Sequence, residues 1–356
     1  MRIIFVVGDI SATGGTERVT SEVASVLSKG HDVTVLSLFN KVENSFFDYS
    51  TRVDIVHAKI DPHCNVIVKF LKVSMAIYKF ARNFNADFVV LVDSILFIFC
   101  LPFVNLVESR IITWEHFNLS TSHGSKFRVL SRFFASRFSN GIVVLTERDL
   151  LSWRSRYNLR SEIVAICNPI PRLPAIRRDK ENIVLAVGRL SYEKGFDILL
   201  KSWPNVVSIY PDWKLRIVGS GTLENDLRNL ANILDVSDSV EFAGKVKNIE
   251  IEYSRASIYV MTSRWEGLPM TLLEAQHFGL PSISTDCVTG PKEILSHNNG
   301  LLIDVDDYQA LSEKILLLIN DECLRNRFSE SAKLQSKNYA LPRVRKRWEQ
   351  FFGLLV

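Results

Sequence analysis

The sequence predicts an α/β protein of two domains, each built on a parallel β-sheet. Apolar runs of strand length alternate with helix-length amphipathic segments along the chain, the pattern of β–α units. A chain of 356 residues exceeds one typical domain and suits two. At mid-chain, the stretch Asn168-Pro169-Ile170-Pro171-Arg172-Leu173-Pro174 packs three prolines into six residues and is followed by a charged run. Neither a helix nor a central strand accommodates that, so it reads as the linker. The expected domains are 1–170 and 171–340, with 341–356 as a terminal helix returning to the first domain.

In the first half the expected strands are Arg2–Val7, Asp32–Ser37, Asp87–Val92, Ser109–Thr113, Gly141–Thr146 and Ile163–Ile166, with helices near 16–29, 66–84 and 125–138. The second half alternates strand Ile183–Gly188, helix Phe196–Tyr210, strand Lys214–Val218, helix Leu223–Leu234 and strands Val240–Ala243 and Ser257–Thr262. Helix Met270–Phe278 and strand Ser282–Thr285 follow, and Pro204 is expected to kink or split the first of these helices. In Leu341–Val356, Trp348, Phe351 and Phe352 fall at helical spacing beside four cations, the pattern of a packed amphipathic helix.

Composition narrows the class. Hydrophobic residues at 47% and charged residues at 23% are the balance of a globular chain without a disordered tail. The five cysteines show neither C-x-x-C nor metal spacing and read as reduced, buried thiols. The apolar N-terminus reads as a first strand rather than a signal peptide, and 95–104 is too short to span a bilayer. The expected location is cytoplasmic, peripheral on the inner face of the membrane. Residues 1–170 hold 19 Lys/Arg against 15 Asp/Glu, whereas 171–356 hold 24 of each, so the net +4 sits on the first half. An anionic partner should meet that half, but the excess is too weak for nucleic acid.

Four clusters carry chemistry. The run 262–281 places Glu266 in a loop after a strand, Pro269 at a helix start and Glu274 further along the helix. The first-turn N–H groups at Met270 and Thr271 form an anion site, and an acid at 274 suits vicinal hydroxyls such as those of a ribose. Either glutamate alone would pass for a solvated side chain; together with the loop–Pro–helix context they do not. Directly after a strand, Gly188-Arg189 and Lys194-Gly195 put a planar fork and a point charge where α/β folds bind ligands, a pairing suited to a diphosphate. Gly14-Gly15, between the first strand and its helix, allows close approach of backbone to phosphate, but the run is neither a Walker loop nor G-x-G-x-x-G and is a weak signal alone. His116 ends a strand and can reach a ligand; a lone histidine is more often structural.

With these residues in order, the chain resembles glycosyltransferase family 4, whose GT-B fold sets two Rossmann-like domains facing each other across a cleft. The resemblance rests on the order Gly14-Gly15, His116, Asn168-Pro169, Gly188-Arg189-Leu190, Lys194-Gly195 and the glutamates 266 and 274 with seven residues between them, and it spans nearly the whole chain. Many members read Glu-x-Phe-Gly where this chain reads Glu266-Gly267-Leu268-Pro269. The runs Glu115-His116, Cys167-Asn168-Pro169-Ile170 and Asp286–Glu293 resemble members that extend lipid-linked oligosaccharides of bacterial surface polysaccharides.

The resemblance implies retaining transfer from a nucleotide sugar, expected as a UDP-hexose or UDP-N-acetylhexosamine, with no metal and no other cofactor. It implies that Arg189 and Lys194 neutralise the donor diphosphate, approached by Gly14, Gly15 and Gly188. It further implies that Glu266 and the backbone of Gly267, Leu268, Pro269, Met270 and Thr271 hold sugar and phosphate. Glu274 binds the ribose, Lys245 and Val246 border the base, and His116 lies near the sugar. The implied acceptor is a lipid-linked saccharide. Rival readings are a sugar-nucleotide epimerase on the same scaffold, which would need no acceptor, and an inactive binding protein, which would not keep all four charged donor residues. A nicotinamide dehydrogenase would need a glycine fingerprint that is absent from the sequence.

The charge asymmetry adds one partner. Lys69, Lys72, Lys79 and Arg82 fall within one ~140° arc of a helix. The segment 126–138 interleaves Lys126, Arg128, Arg132 and Arg137 with aromatic residues. Either alone reads as a solvated basic face; both on the basic half predict an anionic membrane surface as a partner of the first domain.

Overall fold

The computed structural model describes residues 1–39, 44–121, 124–171, 173–174, 176 and 178–356. Arg172, Ala175 and Arg177 of the proline-rich stretch lie outside the described residues. The chain divides into two compact units, Met1–Pro169 with Ala340–Val356, and Ile170–Tyr339.

In the first unit the elements run β1 (Arg2–Val7), α1 (Gly15–Leu27), β2 (Asp32–Ser37), β3 (Val53–His57), α2 (Val66–Asn83) and β4 (Phe88–Val92). They continue through a 3-10 helix at Ser94–Cys100, β5 (Arg110–Trp114), α3 (Lys126–Phe138), β6 (Gly141–Val144), α4 (Glu147–Arg156) and β7 (Glu162–Ala165). The strands form one parallel sheet in the order β3-β2-β1-β4-β5-β6-β7. β1, β4 and β6 are continuous apolar runs because helices cover both sheet faces. The expected strand Gly141–Thr146 stops at Val144, because the Thr146 hydroxyl accepts from Asp149 N–H and caps α4.

The second unit holds β8 (Ile183–Val187), α5 (Phe196–Ile209), β9 (Lys214–Val218), α6 (Glu224–Ile233), β10 (Val240–Gly244), α7 (Ile249–Arg255) and β11 (Ile258–Met261). It continues with α8 (Met270–His277), β12 (Ser282–Thr285), α9 (Pro291–Ile294), β13 (Gly300–Ile303), α10 (Tyr308–Asn320) and α11 (Glu322–Ser336). Its parallel sheet has the order β10-β9-β8-β11-β12-β13, with the strand order reversing beside β8. Helix α5 runs unbroken through Pro204, so the expected split does not occur. Its apolar face, Ile198, Leu199, Trp203 and Val206, is buried in the core, and the Trp203 indole donates to Ser239 Oγ at 2.9 Å. That packing outweighs the single backbone hydrogen bond a proline removes.

The C-terminal helix α12 (Leu341–Leu355) belongs to the first unit. Its Trp348, Phe351 and Phe352 are fully buried. Trp348 packs edge-on against Trp114 and Phe5, and Phe352 against Phe88, with ring centroids 5.0, 6.3 and 4.7 Å apart. Each such side chain contributes about 1.5–3 kcal/mol on burial, so the last turns of the chain are part of the first core.

Candidate active site

Parallel strands bring the loops at their carboxyl ends to one edge of a sheet, and in the second unit those loops interlock. Gly219, at φ +139°, leaves no room for a Cβ against the Gly188 carbonyl, and its N–H donates to Gly244 O at 2.9 Å. Gly195, at φ +63°, abuts the Thr262 carbonyl just as closely. These glycines draw the loops after β8, β9, β10 and β11 together. Gly188, Arg189 and Lys194 follow β8, Lys245 and Val246 follow β10, and residues 262–269 follow β11.

Lys194 and Glu266 are joined directly. Lys194 Nζ donates to Glu266 Oε1 at 2.6 Å, and Ser263 Oγ donates to the same oxygen at 2.7 Å. Arg189 is exposed beside them. Glu193 lies between the two cations: burial opposes its ionisation, but the Ser191 hydroxyl, Lys194 and Arg189 outweigh burial and hold its pKa below the ordinary value.

The loop carrying Glu266 is clamped on both sides. Arg264, which the sequence reading did not single out, grips Asp197 with both Nη atoms at 3.0 and 2.8 Å and reaches Asp306 with Nε at 3.0 Å. Its guanidinium also lies 4.2 Å from the Tyr192 ring centroid, and its backbone N–H donates to Glu193 O at 2.8 Å. From the other side, Thr289 Oγ1 donates to Glu266 O, and Thr285 Oγ1 to Ser263 O, both at 2.6 Å. Gly290, at φ +98°, lies too close to Pro269 for any side chain. Only their place between two site elements marked these residues in the sequence.

Helix α8 begins at this loop, and no side chain caps its N-terminus at Pro269. The first-turn N–H groups, at Met270 and Thr271, therefore face the loop without a protein side chain to satisfy them. Gly267 and Leu268 lead into that turn. Glu274 is buried at 4% exposure rather than lying on the helix surface. Its Oε2 accepts from the Tyr253 hydroxyl at 2.9 Å, and Tyr259 donates to Thr271 Oγ1 at 2.8 Å. Tyr253 comes from α7, and no motif in that short helix signals the contact.

The remaining candidates lie in the first unit. Gly14 caps α1 and Gly15 begins it, with Glu17 folded back so that a Cβ on Gly14 would meet its carboxylate. Burial raises the Glu17 pKa, and the neighbouring carboxylates Asp9 and Asp93 raise it further. His116 follows β5 and is buried, its ring 4.4 Å from that of Trp114. Its Nε2 is buried without a hydrogen-bond partner among the described residues, and burial pushes its pKa down to about 4, so the ring is neutral at pH 7.

Asp93, at φ +97°, sits beside these groups and accepts both Nη atoms of Arg128 at 2.6 and 2.9 Å. Glu115, 1% exposed, accepts from Arg132 Nε at 2.7 Å and Ser94 Oγ at 2.6 Å. These pairs correct the basic-surface reading of 126–138. Arg128 and Arg132 point inward, because the part-buried Asp93 and the buried Glu115 require partners, and only Lys126 and Arg137 of that segment remain outside.

The interlocked glycine-rich sheet edge of the second unit, bearing the paired Lys194 and Glu266 at an uncapped helix, agrees with the comparisons to known proteins. The model for glycosyl transferases group 1 matches residues 174–335. The amylovoran biosynthesis glycosyltransferase AmsD of Erwinia amylovora is 31% identical over 363 residues, covering 99% of both chains. The chain belongs to the group 1 glycosyl transferases. Further similarity, 27% over 357 residues, covers 98% of this glycosyltransferase and 97% of a Campylobacter jejuni relative. That relative is named GalNAc-alpha-(1->4)-GalNAc-alpha-(1->3)-diNAcBac-PP-undecaprenol alpha-1,4-N-acetyl-D-galactosaminyltransferase. The solved lipopolysaccharide outer core galactosyltransferase WaaB superposes with a TM-score of 0.78 at 18% identity over 100% of both chains, a likeness of GT-B fold. Among the described residues, no helix is long and apolar enough to cross a membrane.

Proposed function

We propose that this glycosyltransferase moves a hexose or N-acetylhexosamine, with retention, from a UDP-sugar to a polyprenyl-diphosphate-linked oligosaccharide in bacterial surface polysaccharide synthesis. The observation that carries the donor half is the junction of Lys194, Glu266 and the uncapped start of α8 within one loop cluster. A leaving diphosphate gathers negative charge as the glycosidic bond breaks. Arg189, Lys194 and the N–H groups at Met270 and Thr271 are cationic or positively polarised groups placed to stabilise it, in place of a divalent metal. Glu266 then accepts from hydroxyls of the transferred sugar and Glu274 from the ribose, while Lys245 and Val246 border the base.

Retention follows if the acceptor approaches the face from which the diphosphate departs. The acceptor oxygen bonds to the anomeric carbon, the bond from that carbon to the phosphate oxygen breaks, and the departing oxygen takes the acceptor proton. His116, neutral at pH 7, serves as a hydrogen-bonding group for the sugar rather than as an acid. The lipid-linked acceptor is supported by the undecaprenol-linked substrate in the name of the Campylobacter relative. It places the first unit at the anionic inner face of the cytoplasmic membrane. A screen of nucleotide sugars against a polyprenyl-diphosphate oligosaccharide, read by mass spectrometry, tests the reading. One added sugar in α-linkage from a UDP donor is the expected product. An epimerised donor formed without acceptor would overturn it.

A further inference from the structure

Helix α3 is inside out. Its buried side chains are Arg128, Ser131, Arg132, Ala135 and Ser136, whereas Phe127, Val129, Leu130, Phe133 and Phe138 are 42–60% exposed. A helix lying between a protein core and water shows the reverse arrangement. Its inner face is accounted for by the Arg128–Asp93 and Arg132–Glu115 pairs and by Ser131 Oγ, which accepts from Ile98 N–H at 3.1 Å. Its outer face is apolar, and apolar side chains grouped on one exposed helix face mark an interaction site. A groove of about 520 Å³ runs along it, lined by Lys126, Val129, Leu130, Phe133, Arg156 and Tyr157.

A second helix flanks the same 3-10 segment. Phe70 of α2 packs on Phe99 at 5.7 Å, and α2 exposes Val66, Ile67, Val68, Leu71 and Met75 beside Lys72, Lys79 and Arg82. Charge selects the occupant. Residues 62–86 and 116–146 contain no Asp or Glu, so Lys72, Lys79, Arg82 and Lys126 rim the two apolar faces without an acid from either segment, and Arg156 of α4 adds a further cation to the groove. A lipid leaflet with anionic headgroups over an acyl interior complements both features at once.

We propose that the outer face of α3 inserts into the headgroup–acyl boundary of an anionic leaflet, with the exposed cations of α2 and α3 lying among the headgroups. This rests on the membrane-facing acceptor reading above and gives it a defined surface in which apolar insertion, not charge alone, holds the protein. The helix that meets lipid is then the one whose inner face fixes Glu115, the neighbour of His116.

Flotation of the full chain with vesicles tests the proposal, using phosphatidylglycerol–phosphatidylethanolamine mixtures beside pure phosphatidylcholine. Wild-type protein is expected to float with the anionic vesicles and to keep part of that binding in high salt. The combined variant Phe127→Ser, Leu130→Ser, Phe133→Ser should bind roughly a hundredfold more weakly. Its circular-dichroism melt should match wild type, because the three side chains face outward. A variant that floats as well as wild type would overturn insertion while leaving membrane binding intact. Wild-type protein that fails to float in low salt would overturn the membrane reading itself, and insertion with it. Equal binding to phosphatidylcholine would overturn the choice of an anionic leaflet. A wild-type dimer split by the triple variant, with no vesicle binding, would assign the face to a second copy of the chain.

Discussion

Lys194 Nζ lies 2.6 Å from Glu266 Oε1, so two groups assigned to different parts of one donor hold each other directly. The pair is largely shielded, with side-chain exposures of 24% and 11%. A bound sugar nucleotide would have to separate them, turning Lys194 to phosphate and Glu266 to sugar hydroxyls. UDP without a sugar faces the cost of breaking the pair but gains nothing at Glu266.

The consequence is a divergence between UDP binding and catalysis. Glu266→Gln keeps a hydrogen-bonding side chain at the site but removes the charge that retains Lys194. UDP affinity, measured by calorimetry, should rise severalfold, while kcat falls by about a hundredfold or more from the lost charge-assisted bond to the sugar. A parallel fall of UDP affinity and activity would show that the pair is not opened by the diphosphate.

The ribose assignment rests on a buried carboxylate. Glu274→Ala removes charge-assisted hydrogen bonds worth ~1.5–3 kcal/mol, a rise in donor KM of roughly tenfold to hundredfold. Tyr253→Phe deletes only the hydroxyl that donates to Glu274 Oε2, and its effect should be smaller, about threefold to tenfold. Donor KM values unchanged in both folded variants would remove Glu274 from the donor site.

Most of the framework was legible because it is written in local patterns. β1, β2, β8 and α8 are marked by apolar runs, glycines and Pro269, features that depend on near neighbours. β3 escaped because Asp54 interrupts an edge strand only partly covered by the fold. Between Thr285 and the terminal helix the sequence pattern yielded no elements, although Leu311, Ile315 and Leu318 carry a helical period that the core uses. The site divided in the same way. Lys194, Glu266 and Glu274 lie in recognisable loops, whereas Arg264, Thr289 and Tyr253 matter through contacts across 21 to 72 residues that no local period encodes. The inward turn of Arg128 and Arg132 was illegible for a related reason. Their partners Asp93 and Glu115 precede them by 35 and 17 residues, and composition alone cannot distinguish a surface cation from one meeting a buried acid.

On the proposed reading of the donor site, positive charge comes from the protein and transfer needs no divalent metal. Activity should persist in excess EDTA, with product formation within about twofold of the untreated enzyme, as fixed donors need no reorganisation on metal removal. Complete loss restored by Mg²⁺ or Mn²⁺ would require a metal between the diphosphate and this chain.

His116 and Asp149 of the first unit are shifted by burial in opposite senses. Burial pushes His116 from 6.5 down to about 4, so between those values the unfolded chain holds the extra proton and stability falls as pH drops. Burial pushes Asp149 from 3.8 up to about 7, with nearby Glu115 adding to the shift, so over that window the folded chain holds the extra proton and stability falls as pH rises. Each is worth about 3–4 kcal/mol at full effect, and their windows overlap. The melting temperature of wild type should therefore change little between about pH 4.5 and 6.5. Asp149→Asn keeps an oxygen to accept from Leu119 N–H, a bond of 2.8 Å in the native protein, but no longer titrates. Its melting temperature should fall steadily as pH is lowered through that window, because the His116 contribution is then unopposed. His116→Phe should show the reverse slope. Calorimetric melts of the three proteins at half-unit pH steps would decide the matter. Parallel profiles would mean that the two groups titrate alike in the folded and unfolded chains.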